Sequence, residues 1–237
     1  MDADILGLIP ARGGSSRVER KNIREVGGEP LIAHTIEQAQ KSETLTRTVV
    51  STDDEEIASV AREYGGDTPF IRPAELATDT ASSAAVVTHA LNWLKDHGEE
   101  FETVCLLQPT SPLRSAADID DSMHKLHQSD AHTLLSVSDF TEPPQYAVQS
   151  NEAGYLEERF APELLFSDSY VREQDLNDLL YPNGAIFAST VDFWRKRETF
   201  YSGKTEAYKM PPSRSLQIDE EWELELVDAF MTRQRGL

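Results

Sequence analysis

The chain has 237 residues, and its 42 Asp and Glu outnumber 22 Lys and Arg to give a formal net charge of −20. A field of that sign repels phosphate polymers and anionic bilayers, which excludes general nucleic-acid or membrane binding; the length suits one α/β domain with a substantial core. No apolar run approaches the ~20 residues of a membrane helix, and Met1-Asp2-Ala3-Asp4 lacks a basic signal segment, so a cytoplasmic location is expected. Cys105 is the only cysteine, which rules out an intrachain disulfide or a thiolate cluster, and between Val104 and Leu106 it reads as inert core.

In chain order, Ile5-Leu6-Gly7-Leu8-Ile9 reads as a buried strand that ends in a glycine-bearing loop. That loop carries Arg12, Arg17, Arg20, Lys21 and Arg24, five cations against the sign of the whole chain. Gly13 and Gly14 let backbone N–H groups approach an anion, so the loop reads as a cradle for a nucleoside triphosphate, or as a turn with solvated basic residues. Neither G-x-x-x-x-G-K-[ST] nor G-x-G-x-x-G occurs, which sets aside the Walker and dinucleotide readings.

Leu31–Lys41 has helical period, and Thr48 to Ser51 reads as a second strand. Thr52 with Glu55 forms a capping-box pattern before Ile57, Val60, Ala61 and Tyr64, and Gly65 stops that helix. Pro69-Phe70-Ile71 is a short extended segment, residues 81–95 are helical, and Thr103–Leu107 is a buried strand. Gln108-Pro109-Thr110-Ser111-Pro112 must be a loop at its carboxyl end. A helix over 117–127 and a strand over 133–137 follow, and the alternation predicts a mostly parallel, doubly wound sheet with helices on both faces. Residues 138–181 break the pattern with Pro143, Pro144, Gly154 and Pro162 and read as a lid or dimer arm. Gly184 to Ala188 then reads as a strand, and Trp222, Leu224, Leu226, Val227 and Phe230 mark a carboxyl-terminal helix.

Five blocks in order, IPARGGSSRVERKN, STDDEEIASVAREYGG with FIRPAELATD, LLQPTSPLR, REQD with YPNGAIF, and IDEEWELEL, resemble the acylneuraminate cytidylyltransferases. The resemblance implies a three-layer α/β fold of the nucleotide-diphospho-sugar-transferase type, and the 138–181 excursion makes a homodimer the expected assembly. It implies that CTP and a sialic, legionaminic or pseudaminic type of acid give a CMP-sugar and pyrophosphate, assisted by Mg²⁺. Such chemistry asks mainly for positioning and charge neutralisation. By the match, Arg12, Lys21 and Asp219 are catalytic, and Ala11, Gly13, Gly14, Ser15, Asn22, Arg72, Ser82 and Ser83 join Arg12 and Lys21 in holding the nucleotide. Gln108, Thr110, Ser111, Arg114, Arg172, Gln174 and Asn183 would meet the sugar acid.

The residues themselves leave plainer readings open: a turn for Asn22 and Asn183, an exposed ion pair for Arg72, an exposed arm for Arg172 and Gln174. The chain also departs from the family. Gln217-Ile218-Asp219 stands where Asp-x-Asp is usual, which leaves Asp219 as the one carboxylate for Mg²⁺ or as a helix cap. Ser16 stands where lysine is common, and Pro143-Pro144-Gln145-Tyr146 lacks a further lysine, which bears on sugar identity. A 3-deoxy-octulosonic acid substrate and a non-catalytic nucleotide-binding homologue are the alternatives. The acid excess fits a protein adapted to concentrated salt or an ordinary acidic enzyme.

Overall fold

The structure, a computed structural model, describes residues 3–15, 17–78, 80–160, 164–166, 176 and 178–235. Its centre is a six-stranded sheet built from β1 (Ile5–Pro10), β4 (Arg47–Ser51), β5 (Thr103–Leu107), β6 (Thr133–Asp139), β9 (Leu180–Thr190) and β10 (Thr205–Lys209). The spatial order is β10-β6-β9-β5-β1-β4. Five strands run parallel and β9 runs against both of its neighbours.

Strand alternation divides the core into two faces. Ile5 and Ile9 of β1 and Cys105 and Leu107 of β5 pack with α1 (Leu31–Lys41), α2 (Glu55–Glu63) and α4 (Ala116–Gln128). Leu6, Leu8, Val104 and Leu106 point the other way, onto α3 (Ser83–Asp96) and Trp194 of α5 (Val191–Arg197). The result is the expected three-layer, doubly wound arrangement. A small third cluster joins α6 (Glu221–Arg235), through Leu224 and Val227, to Val18 of the first loop, to Val26 in the short ribbon of β2 (Glu25–Val26) and β3 (Glu29–Pro30), and to Leu31. It moors the loop after β1 to the carboxyl-terminal helix.

Several boundaries differ from expectation, each for a local reason. The cap of α2 is Asp54, whose carboxylate accepts from the N–H groups of Glu56 and Ile57; Thr52 Oγ1 is occupied by the Asp54 N–H, so no Thr52 capping box forms. Helix α3 starts after Ser82, whose hydroxyl accepts from Ala85 N–H, and α4 starts with a Ser115–Asp118 capping box. In α6 the inward positions are Leu224 and Val227, while Trp222 and Leu226 face outward. Within 138–181 the described chain includes an exposed ribbon of β7 (Val148–Ser150) and β8 (Leu156–Glu158).

Asn183-Gly184, where a simple turn is the plainer alternative, is a bulge inside β9. Pairing with β6 jumps from Leu135↔Phe187 to Val137↔Pro182, so Pro182 and the two residues after it fall at an irregularity, where a missing N–H is tolerated. Ser136 Oγ fills the gap, donating to Asn183 Oδ1 at 2.5 Å and accepting from Ile186 N–H at 2.8 Å. Gly184 has φ +73°, and a Cβ there would sit 1.7 Å from Gln217 Nε2, so only glycine serves.

Candidate active site

The loops after β1 and β5 leave the carboxyl ends of neighbouring parallel strands, the place where open α/β sheets hold ligands. Between them lies a cleft of about 300 Å³, lined by Arg12, Gly14, Ser15, Lys21, Asn22 and Arg72 on one side and by Ser83, Gln108 and Thr110 on the other. Among the described residues no carboxylate lines it. In a chain of charge −20 that makes it a local positive well.

The five loop cations divide into two groups. Arg17 pairs with Glu220 at 3.5 Å, Arg20 with Asp54 at 2.8 Å and with Glu56, and Arg24 with Glu221 at 2.6 Å. These three moor the loop to α2 and α6 rather than serving the cleft, which corrects the expectation that all five meet a polyphosphate. Arg12 and Lys21 line the cleft; Arg12 donates to Thr78 O at 3.1 Å. Lys21 Nζ reaches Ile218 O at 2.9 Å and Asp219 Oδ1 at 3.0 Å.

The glycines differ in the same way. Gly13 gives its N–H to Asp53 Oδ1 at 3.0 Å, and a Cβ on it would meet Asp54 Oδ2 at 2.7 Å, so its glycine is required by packing against α2. Gly14 faces open space and keeps its backbone accessible. Ala11 is buried and pairs its N–H with Ser51 O behind the cleft. Asn22 lines the cleft yet spends its amide N–H on Arg12 O at 3.0 Å, bracing the loop across its base.

Arg72 is 3% exposed, with Asp53 Oδ1 at 3.4 Å and Nε without a hydrogen-bond partner. Burial pulls the guanidinium below its usual range, and Asp53 pulls it only partly back. A buried cation that is under-satisfied and borders a cleft asks for an anion. It is therefore not the exposed ion pair that the sequence also allowed.

Other expected residues fall elsewhere. Ser82 is the cap of α3, and Ser83 is the serine that lines the cleft. Ser111 and Arg114 are buried behind the loop; Arg114 donates to Ala185 O at 2.7 Å, Gln108 O at 3.2 Å and Thr35 Oγ1 at 2.9 Å, stapling the Gln108 loop to β9 and α1. Burial lowers its pKa to about 10, which still leaves it charged. Asn183, 1% exposed, gives its Nδ2 hydrogen to Ser215 Oγ at 2.8 Å and accepts Gln217 Nε2 on its carbonyl at 2.5 Å, so its expected sugar contact is replaced by a structural one. Ser16, Arg172 and Gln174 lie outside the described residues.

Asp219 is not the cap of α6. The carboxylate of Glu223 reaches back to the N–H groups of Asp219 and Glu220, at 2.7 and 2.8 Å, and leaves the Asp219 side chain about half exposed beside Lys21. Ile218 N–H bonds Thr110 O at 2.9 Å, which ties this segment to the loop after β5. One carboxylate beside an anion-holding cleft fits Mg²⁺, which takes one or two protein carboxylates and completes its shell with water and phosphate oxygens. Among the described residues no three His, Cys, Asp or Glu side chains converge as a metal site.

A second hollow of about 270 Å³ shares Ser83 and Gln108 with the cleft and has walls of Leu106, Phe187, Trp194 and Phe200. Its one sign in the sequence is the pair Phe200-Tyr201 in a polar stretch. Asp53, which holds both Gly13 and Arg72, was hidden within the STDDEE run. Cys105 is fully buried and its thiol is pushed up to about 12, as inert core should be.

Residues 6–228 match the family model described as cytidylyltransferase. Pseudaminic acid cytidylyltransferase of Campylobacter jejuni is 33% identical over 222 residues, 93% of each chain. CMP-N,N'-diacetyllegionaminic acid synthase of Legionella pneumophila is 36% identical over 230 residues, 96% of each. N-acylneuraminate cytidylyltransferase of Escherichia coli is 34% identical over 95% of this chain and 52% of its own length. Among solved structures, a CMP:2-keto-3-deoxy-manno-octonic acid synthetase complexed with CTP superposes with a TM-score of 0.71 at 18% identity, over 98% of this chain and all of that one. That likeness concerns the fold. The family model and these relatives span nearly the whole chain, and the chain belongs to the cytidylyltransferase family, alongside the acylneuraminate type.

Proposed function

We propose that this protein transfers the cytidylyl group of CTP to a nine-carbon 2-keto sugar acid of the sialic, legionaminic or pseudaminic type. The observation that carries the reading is the cleft lined by Arg12, Lys21 and Arg72 and by no carboxylate among the described residues, which shares Ser83 and Gln108 with an aromatic-walled hollow. The triphosphate takes the cationic side. The sugar acid takes the side of Gln108, with its apolar substituents in the hollow. Its anomeric oxygen attacks the α-phosphorus, the bond to the β-phosphate bridging oxygen breaks, pyrophosphate leaves, and the hydroxyl proton passes to solvent. Arg12, Lys21 and Arg72 offset charge that gathers on the phosphates. Mg²⁺, held by Asp219 and phosphate oxygens, would add to that neutralisation.

Exposed Tyr155, Leu156, Phe160 and Phe166 support a homodimer through the 138–181 excursion. No helix among the described residues is long and apolar enough to cross a membrane, in keeping with work in the cytoplasm, where CTP is made. The test is pyrophosphate release from CTP, ATP or GTP with Mg²⁺ and a panel of eight- and nine-carbon sugar acids. Release with CTP and a nine-carbon acid supports the reading. CTP binding without turnover on any acid would identify a non-catalytic homologue, and turnover only with the octulosonic acid would move the substrate to the shorter class.

A further inference from the structure

Glu198 breaks two local rules at once. It ends α5 with φ +49°, a left-handed conformation that glycine or asparagine normally takes. It also puts a negative charge at a helix carboxyl end, where the backbone carbonyls already make the field negative. Arg195, Lys196 and Arg197 in the last turn offset that charge, so the positive φ is the departure that calls for an explanation.

The side chain has a definite direction. Trp194 Nε1–H donates to Thr88 Oγ1 at 3.0 Å, and the Thr88 hydroxyl donates onward to Glu198 Oε1 at 3.2 Å. This relay holds the carboxylate at the rim of the hollow beside Gln108, where it is the one charged group among the described lining residues. The relay uses one lone pair of one oxygen, so the carboxylate keeps capacity to accept. An apolar hollow with a single acceptor at its mouth suits a group with an apolar end and an N–H near its stem. An acylamido substituent is such a group.

Resting on the reading of the hollow as the sugar side of the site, we propose that Glu198 is a specificity-determining residue whose carboxylate accepts the N–H of an acylamido group on the sugar acid. The acyl carbons fill the space between Phe187, Trp194 and Phe200. The same charge repels the sugar's own carboxylate from the hollow and turns it toward the cationic cleft. Without Glu198, an amide N–H whose acyl group is held in the hollow loses its acceptor and cannot turn to water, whereas a hydroxyl in its place, which can also donate to the carboxylate, rotates freely toward solvent; loss of the carboxylate therefore penalises the acylamido substrate more than the hydroxyl one.

The experiment compares kcat/KM for the nine-carbon acid that the parent turns over fastest with its counterpart bearing a hydroxyl in place of the acetamido group. Glu198→Ala should lower the acetamido-over-hydroxyl ratio by about tenfold or more and leave KM for CTP unchanged. Glu198→Gln, which keeps a carbonyl acceptor, should retain most of the ratio. Glu198→Gly should lose the ratio as Ala does while its melting temperature holds or rises, because glycine relieves the positive φ. An unchanged ratio in Ala and Gly variants of an active enzyme overturns the assignment alone, as does an equal loss on both sugars. A parent that turns over neither sugar overturns the cytidylyltransferase reading and the assignment together.

Discussion

Lys21 and Asp219 show how much a single pair of side chains decides here. The ammonium sits 3.0 Å from Asp219 Oδ1, with Lys21 mostly buried and Asp219 about half exposed. On the proposed reading, a triphosphate in the cleft would compete with that carboxylate for one cation. Asp219→Asn should tighten CTP binding measured in EDTA by roughly two- to tenfold, since a partly screened ion pair of about 1 kcal/mol no longer opposes it. The same variant should lose most Mg²⁺-dependent turnover. A titration in EDTA that shows weaker CTP binding would remove Asp219 as a competitor. Arg12→Ala and Lys21→Ala should each lower kcat/KM at least about tenfold, ~1.4 kcal/mol, with melting temperatures close to the parent's, because both line the cleft and neither fills core. The sequence announced the loop through its sign. It could not show which cations face inward, because that is settled by Asp54, Glu56, Glu220 and Glu221, acids in the first turns of two distant helices or just before them.

At the scale of elements, buried charges fasten the pieces that carry the site. Arg114 links the loop after β5 to β9 and α1, and its loss would take this partner from the Ala185 carbonyl and the Thr35 hydroxyl inside, while Gln108 O would keep the Ser111 N–H at 3.3 Å. Arg114→Ala should therefore lower stability by about 3 kcal/mol or more, in contrast to the cleft arginine, and calorimetry distinguishes the two. Asp118 joins α4 to the segment leading into Gln217 and Asp219 through Arg214 Nε at 3.0 Å and Nη2 at 2.8 Å. Burial alone would raise the Asp118 carboxyl, but hydrogen bonds from Arg214 and Ser115 outweigh it and hold the pKa below the usual range. A depressed folded pKa gives stability that is full above the unfolded value, about 4, and drains as pH falls through the folded one. Asp118→Asn should thus cost about 2 kcal/mol at pH 7 and flatten the loss of stability below pH 4; an acid limb as steep as the parent's would place that sensitivity in other carboxyls. Periodicity revealed α1, α2, α3 and α4 because each has a long apolar stripe. It missed β10, an edge strand with Ala207 and Lys209 exposed and Glu206 paired with Lys125 of α4, and α5, only 7 residues long. It shortened β9, since Pro182-Asn183-Gly184 has the composition of a turn and only the pairing with Ser136 makes it a bulge.

For the whole molecule the governing quantity is the excess of acids, 42 against 22 basic residues. The alternation of strands and helices was enough to foresee the layers, but the reversed β9 depends on where the chain returns after the 138–181 excursion, which no local pattern encodes. Charge acts at this scale in two ways. Ion pairs such as Arg24–Glu221 and Lys209–Asp139 are exposed and each contributes little, so salt that screens them removes little stability. The unpaired surplus of carboxylates repels itself over the whole surface, and at ~1 M salt the screening length falls to about 3 Å, which suppresses that repulsion. The unfolding midpoint should therefore rise markedly between dilute buffer and molar KCl. CTP binding responds to salt in opposite directions, because screening weakens the contacts of Arg12 and Lys21 while it lowers the long-range barrier that a net charge of −20 sets against a triphosphate. Association rates should consequently hold up with KCl better than affinities do. A midpoint flat from dilute buffer to molar KCl would mean that the carboxylates are spaced widely enough to be hydrated independently, as in an ordinary acidic enzyme, and that concentrated salt is not the medium for which this surface is built.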